Sequence, residues 1–430
     1  MRWGGRIAAA IEILEDVFQR HRPASDALAE WGRQHRFAGS KDRHAIGTLV
    51  FDSLRKRNSL AFALADSSPR SLAFGTVRIL WGKPFGEVQS WAEEPHGPGA
   101  LTPGELSQLA EPGKRDAPAW VEGDFPEWLA PSFERVFRTD AARQGAALAE
   151  RAPVDLRVNV LKADRPKVLS ALSRYGASEG PLSPWCVRIA PPGPEARNPA
   201  VEAEPAHGKG WYEVQDAGSQ AAALMTAAKA GEQVADVCAG AGGKTLAIAA
   251  MMGNKGQVYA HDADRNRLRP IFDRLKRAGV RNVQVIGADE PAKLAGLRGG
   301  LDGVLIDAPC SGSGSWRRKP DAKWRLTDRQ LSIRVSEQAA VLESAALLVK
   351  PGGRLVYVTC SVLPEENGDQ IEGFLTAHPA FSVVPYREQW LAAIGTPPPV
   401  SADASEKTLL LTPANHSSDG FFIAILRRAP

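Results

Sequence analysis

From about Gln215 onward the chain alternates short apolar runs with helical stretches, and that rhythm limits the fold more than any other feature. The predicted strands lie near 234–237, 257–261, 283–286, 303–306 and 354–358. Several are almost continuously apolar, as in Gly303-Val-Leu-Ile and Leu355-Val-Tyr-Val. Strands buried on both faces read this way, and strand–helix alternation builds a parallel sheet with helices on its two faces. A late run, Gly420-Phe-Phe-Ile-Ala-Ile-Leu, predicts one more strand. In such sheets ligands bind at the strand carboxyl ends, so the residues that follow the strands are the ones to read for function.

After the first predicted strand comes Cys238-Ala239-Gly240-Ala241-Gly242-Gly243-Lys244-Thr245. A phosphate-cradling P-loop requires glycine where Cys238 stands, which excludes that motif. What remains is a glycine-rich strand-to-helix turn, able to bring backbone close to a bound nucleoside and to expose helix N-terminal amides. Roughly 20 residues on, where such folds hold ribose hydroxyls, the chain reads Ala260-His-Asp262. Asp289 follows the next strand and Asp307 the one after. Asp262 is read as the ribose ligand, Asp289 as a contact near the base of the nucleoside, and Asp307 as facing the substrate.

Two of the four cysteines, Cys310 and Cys360, close apolar runs and so fall on the same rim. A lone buried cysteine is usually an inert small hydrophobe. Two at neighbouring strand ends beside a cofactor turn point to covalent chemistry, because a thiolate is a strong nucleophile once formed. Cys238 is read as lining the cofactor turn or packing there, and Cys186 lies outside the sheet. Four widely spaced cysteines make neither a disulfide scaffold nor a paired-ligand zinc site, and no metal is expected.

The rest of the chain divides by pattern. Residues 1 to about 80 read as helical, with Ile7, Ile11, Leu14, Val17 and Phe18 on one face and Ala45, Leu49, Phe51 and Leu54 on another. From 68 to about 126, Pro95, Pro98, Pro103, Pro112 and Pro118 predict a loop or linker. Residues 153–213 hold strand-like pieces around a helix near 167–175, a small α+β module. The expected domains are 1–125, 126–213 and 214–430. Between Arg33 and Arg57 seven Lys or Arg face Asp42 and Asp52, and Trp316-Arg-Arg-Lys-Pro-Asp-Ala-Lys-Trp-Arg325 interleaves aromatics with cations. Such stretches attract nucleic-acid backbones, and the second is expected on the active rim. The net charge is only +4, no apolar run could span a membrane, and the charged start lacks a signal-peptide core, so a cytoplasmic protein is expected.

Several motifs together closely resemble the RNA cytosine-5 methyltransferase family of the bacterial ribosomal small-subunit methyltransferase B (Sun/Fmu) type. They are Leu156-Arg-Val-Asn, Val214-Gln-Asp-Ala-Gly-Ser-Gln, Asp307-Ala-Pro-Cys-Ser-Gly-Ser-Gly, Lys319-Pro-Asp-Ala-Lys-Trp, Thr359-Cys-Ser-Val-Leu-Pro-Glu-Glu-Asn367 and Asp419-Gly-Phe-Phe-Ile-Ala. The resemblance runs from about 125 to 428 and implies a Rossmann-like catalytic core that uses S-adenosylmethionine. The small α+β module and an all-helical NusB-like amino-terminal domain would bind RNA. It implies Cys360 as the nucleophile that attacks C6 of cytosine, Cys310 as the thiol that assists product release, Asp307 on the ring edge and Lys244 in the catalytic pocket. Arg267 would help hold the cofactor, beside the turn 238–244, Asp262, Asp289 and Asp307. Small-subunit ribosomal RNA is the implied target, with transfer RNA as the alternative, acted on by a monomer. The family's turn usually reads Cys-Ala-Ala-Pro-Gly-Gly-Lys; Gly240 and Ala241 replace the Ala-Pro pair and loosen it. A DNA cytosine-5 methyltransferase, whose Pro-Cys thiol is the nucleophile, needs no second cysteine at Cys360. A non-catalytic assembly factor has no use for Asp307, Cys310, Cys360 and Lys244 together.

Overall fold

The computed structural model describes residues 1–113, 116–193 and 199–430. They form two compact units, one of residues 1–113, 116–151, 192–193 and 316–326, the other of residues 152–191, 199–315 and 327–430. None of the described helices is long and apolar enough to cross a membrane.

The first unit is helical. Trp3–Arg20 buries Ile7, Ile11, Leu14 and Val17 against Leu49, Val50 and Leu54 of Ser40–Arg55. Phe18 and Phe51 are partly buried against the same core. The stretch expected as a loop or linker is instead largely helical, with helices Pro69–Gly75, Phe85–Ala92, Pro103–Ala110 and Ala119–Glu122; residues 114 and 115 lie outside the described residues. The prolines misled because two of them, Pro103 and Pro118, stand where helices start rather than where they break. Pro69 follows the N-cap Ser68, and Pro103 follows Thr102, which forms a capping box with Glu105.

The segment expected to present cations to RNA is largely buried in this helical unit. Trp316 and Lys323 are 1% exposed, and Arg317 and Asp321 are also buried. Lys323 Nζ donates to the carbonyls of Arg55 (2.8 Å) and Asp124 (2.5 Å), and Trp324 Nε1 donates to that of Leu54 (2.6 Å). A buried amine needs such acceptors, and here burial pushes its pKa down to about 7. Much of the alternation is therefore a packing pattern, in which Trp316 fills the core, Lys323 bonds backbone carbonyls and Arg325 pairs with Asp321, while Arg318 and Lys319 stay exposed.

The second unit carries two sheets. The smaller has strands β1 (Val154–Val158), β2 (Ser178–Glu179), β3 (Cys186–Ile189) and β4 (Tyr212–Val214), antiparallel in the order β2-β3-β1-β4. The helix Arg165–Ala171 packs Val168 onto Leu156, Val187 and Tyr212. Residues 194–198 of this stretch lie outside the described residues.

The larger sheet has β5 (Gln233–Asp236), β6 (Gln257–His261), β7 (Val283–Ile286), β8 (Leu301–Asp307), β9 (Val349–Thr359), β10 (Phe381–Val384), β11 (Leu409–Leu411) and β12 (Phe421–Arg428). Its order is β10-β12-β9-β8-β5-β6-β7, with β11 also on β12. β5 to β9 run parallel, and β12 inserts antiparallel between β9 and β10. The core is Val234, Val258, Leu305, Val356, Val358 and Ile423, closed by Ala221, Ile248 and Ala249 from helices Ala217–Leu224 and Gly243–Met251. The chain leaves β5 toward β6 and returns to β8 on its other side. That reversal opens a crevice at the carboxyl ends of β5 and β8, the switch point where doubly wound sheets bind ligands.

Candidate active site

The turn after β5 gets its shape from two glycines. Gly240 (φ +50°) and Gly242 (φ +84°) sit in the left-handed region that disfavours side chains, and a Cβ on Gly242 would come within 2.5 Å of Ile271. The loosening expected from Gly240 and Ala241 is offset from outside the turn. Arg274 Nη1 donates to the Ala241 carbonyl (2.8 Å), and the fully buried Arg157 donates through Nη2 to that of Gly243 (3.3 Å). Arg274 is in turn paired with the buried Glu213 (2.9 Å), and Arg157 Nε donates to Gln215 Oε1 (2.6 Å). Arg157 belongs to the Leu-Arg-Val-Asn motif, so its role was visible in the sequence only as a motif member.

Asp262 follows β6 and is buried. Its Oδ2 accepts from Gly240 N (2.9 Å) and its Oδ1 from Asp264 N (2.8 Å), with Arg267 Nη1 at 3.7 Å. A carboxylate accepts about four hydrogen bonds, so two backbone donors orient it and leave capacity for hydroxyls. A cavity of about 930 Å³ extends from this point, lined among others by Cys238, Asp262, Arg267, Asp307, Cys310 and Cys360. Asp289 is not brought there: it is exposed in the turn after β7 and does not line the cavity.

Asp307 closes β8, and the buried Lys244, at the start of helix Gly243–Met251, reaches it at 2.7 Å. Parallel pairing sets Asp307 opposite Val358 of β9. Cys310 and Cys360 therefore leave neighbouring strands at nearly the same level, and their sulfurs lie 3.4 Å apart. The nearby Cys360 sulfur, burial and Glu366 together hold the Cys310 thiol well above the ordinary thiol range. Two thiols this close do not ionise together, because the second charge would be placed against the first. Burial also pushes the Cys186 and Cys238 thiols up, Asp155 adding to the first and Asp236 to the second.

Sequence reasoning passed over Asp236, the carboxylate that ends β5 inside Ala-Asp-Val-Cys. It is 1% exposed; its Oδ2 accepts from Thr245 Oγ1 (2.7 Å), while Oδ1 is buried without a partner. Burial, opposed by the Thr245 bond, pushes its pKa from 3.8 up to about 7. The folded value lies above the unfolded one, so the proton contributes stability that is complete below about pH 4 and lost as pH rises through about 7. Asp236→Asn should therefore gain on the wild type between about pH 5 and about pH 8, by at most about 3 kcal/mol. Urea unfolding at the two pH values measures it, and a difference independent of pH would rule out the buried carboxyl as its source.

A family model described as 16S rRNA methyltransferase RsmB/F matches residues 223–427. The chain is 34% identical over 315 residues to a probable ribosomal RNA small subunit methyltransferase B of Synechocystis, covering 71% of this chain and 67% of that protein. It is 37% identical over 304 residues to ribosomal RNA small subunit methyltransferase B of Salmonella typhi, covering 70% and 66%. The chain thus spans about two thirds of the length of these relatives. The solved structure of PH0851 superposes with a TM-score of 0.73 at 26% identity, covering all of this chain and 99% of that one. The site fits the methyl donor of such enzymes: a nucleoside needs a close backbone approach at Gly240–Gly243, an oriented acceptor such as Asp262, and a cavity continuous with the reacting groups. The chain belongs to the RsmB/F family of S-adenosylmethionine-dependent 16S rRNA methyltransferases.

Proposed function

We propose that this chain methylates C5 of a cytosine in small-subunit ribosomal RNA through a covalent adduct between Cys360 and C6 of the base. The observation that carries the reading is the pair of sulfurs 3.4 Å apart beside the Lys244–Asp307 ion pair, on the wall of the cofactor cavity. S-adenosylmethionine supplies an electrophilic methyl group. Cytosine C5 is too electron-poor to accept it unaided, so the ring must first gain an electron pair.

Cys360, as thiolate, adds to C6, and the C5–C6 π pair moves onto C5 and toward N3. Lys244 and Asp307 offer a donor and an acceptor at the ring edge, where they hold the proton and the charge that develop there. Methyl transfer then leaves C5 carrying both methyl and hydrogen. Cys310 is kept protonated while Cys360 is a thiolate; once that sulfur is an uncharged thioether, the repulsion vanishes and Cys310 can ionise. Its thiolate takes the C5 proton, the C5–H pair re-forms the C5–C6 double bond, and Cys360 leaves as thiolate. Asp262, Arg267 and the turn 238–244 would hold the cofactor, and Asp289, outside the cavity, has no part in it.

The target base must be unstacked to reach the thiols, which RNA loops allow at little cost. The helical unit, read as a NusB-like RNA-binding domain, offers exposed Arg33, Arg36 and Lys41 around Phe37, itself 71% exposed. Cations around an open aromatic face suit a single-stranded segment. Incubating the protein with labelled S-adenosylmethionine and a 16S ribosomal RNA transcript should give 5-methylcytidine on nucleoside mass spectrometry. Label on another atom, or on transfer RNA alone, would overturn the reading.

A further inference from the structure

Cys310 and Cys360 sit on separate loops, and a sulfur–sulfur distance of 3.4 Å requires those loops to be held in register. The loops bond each other directly, Gly314 N to the Cys360 carbonyl (2.9 Å) and Ser313 Oγ with Ser361 Oγ (2.9 Å), and two consecutive residues brace each of them from behind. Glu366 is fully buried; its Oε1 accepts from Ser311 N (2.7 Å) and its Oε2 from Ser311 Oγ (2.5 Å). Gln338 Nε2 donates both to Glu366 Oε1 (3.1 Å) and to the Pro309 carbonyl (2.8 Å). The residues before and after Cys310 are thus tied to one carboxylate. Asn367 does the same for the other cysteine: its Oδ1 accepts from Thr359 Oγ1 (2.6 Å), and its Nδ2 donates to the Ser361 carbonyl (3.0 Å). Asn367 is also buried. Burying these polar side chains is costly unless they are bonded, so the bonds that admit them also fix the loops they bond.

We propose that Glu366 and Asn367 are positioning residues that separately set the two halves of the reaction, Asn367 by aiming Cys360 at the base and Glu366 by placing Cys310 for product release. This rests on the covalent route given above. A carboxylate rather than an amide at 366 adds a second effect, because its charge disfavours ionisation of Cys310. The titratable groups around that thiol are Cys360, Glu366 and Tyr357.

The test compares Asn367→Ala, Glu366→Ala and Glu366→Gln in the full chain, each checked for S-adenosylmethionine binding by calorimetry. Trapping is followed with a 5-fluorocytidine-substituted 16S transcript, and release with the ordinary transcript, both on denaturing gels. Asn367→Ala should slow trapping by about 100-fold, the effect of moving a reacting atom by about an ångström, and leave no adduct on ordinary RNA. Glu366→Ala should trap at the wild-type rate but slow release by about 100-fold, so that adduct accumulates on ordinary RNA. Glu366→Gln should restore release and shift its pH dependence to lower pH. If the alanine variants lose cofactor binding, Asn367→Asp carries the trapping arm and Glu366→Asp, which keeps the charge but shortens the reach to Ser311, carries the release arm and should slow release alone.

Equal slowing of trapping and release by both residues, or an unchanged pH profile in Glu366→Gln, overturns the division of labour. Wild-type protein that never traps, or Cys360→Ala that still does, overturns the covalent route instead.

Discussion

Cys360→Ala is expected to lower the single-turnover rate of methyl transfer by roughly 10⁴-fold or more, the scale seen when a covalent nucleophile is removed. Cys310→Ala is expected to behave in the opposite way: one methyl group is transferred and the product stays on the protein. The difference follows from geometry and charge rather than from exposure, since both thiols are partly accessible and line the same cavity. Only one of two sulfurs at 3.4 Å carries the charge at a time, and Glu366 weighs against Cys310. In the proposed route attack belongs to Cys360, and Cys310, whose thiol is held up by the neighbouring sulfur, burial and Glu366, is kept for the later proton transfer. Removing Cys310 leaves that attack intact but removes the base for the C5 proton. Denaturing gels with labelled RNA separate the two outcomes: no shifted band for Cys360→Ala, and a band retaining one methyl per protein for Cys310→Ala. Shifted bands with the assignments exchanged would mean the Pro-Cys thiol is the nucleophile.

The parts of this site that were legible in the sequence are those fixed by local pattern. Strand ends are set by apolar runs, so Asp262, Asp307, Cys310 and Cys360 could be placed on one rim before any coordinates, and the cavity gathers all four. The glycine turn was legible because positive φ selects glycine at Gly240 and Gly242. Burial was not legible. A cation among tryptophans has the same letters whether it faces RNA or a core, and Lys323 shows the second case, with two carbonyls for its ammonium. Asp289 was placed by strand-end analogy, yet a residue in a turn after an edge strand need not face the crevice, and it does not.

The contacts that steady the turn and the thiol loops were illegible for a related reason. Arg157 and Arg274 reach the turn from residues far away in sequence, and Gln338 reaches the Pro309 loop from the helix Asp328–Ala346. Long-range side-chain to backbone bonds of this kind leave no periodic trace. Glu366 and Asn367 were visible as letters in a motif, but a motif does not say which neighbour each letter holds. Proline carried the same ambiguity in the helical unit, where Pro103 and Pro118 read as breakers and stand at helix starts.

Asp307→Asn is expected to reduce methyl transfer by about 10²- to 10³-fold, the range for losing one preorganised partner of a developing charge. Lys244 lies buried, with its ammonium 2.7 Å from Asp307 and 5.3 Å from the centre of the Phe421 ring, which strengthens the cation's hold on the site. The amide keeps the shape of the carboxylate but lacks its charge, so Lys244 would lose its ion-pair partner at the moment the ring must be polarised. Removing one member of a buried pair is costly because the other charge stays behind, though the side chain of Asp307 is 34% exposed and water would soften the loss. The backbone turn and Asp262 are untouched by the change, so affinity for S-adenosylmethionine should fall by less than about tenfold, or about 1.4 kcal/mol. Calorimetry gives the affinity and a single-turnover assay gives the rate. A rate loss far larger than the affinity loss assigns Asp307 to the cytosine ring, whereas parallel losses would assign it to the cofactor.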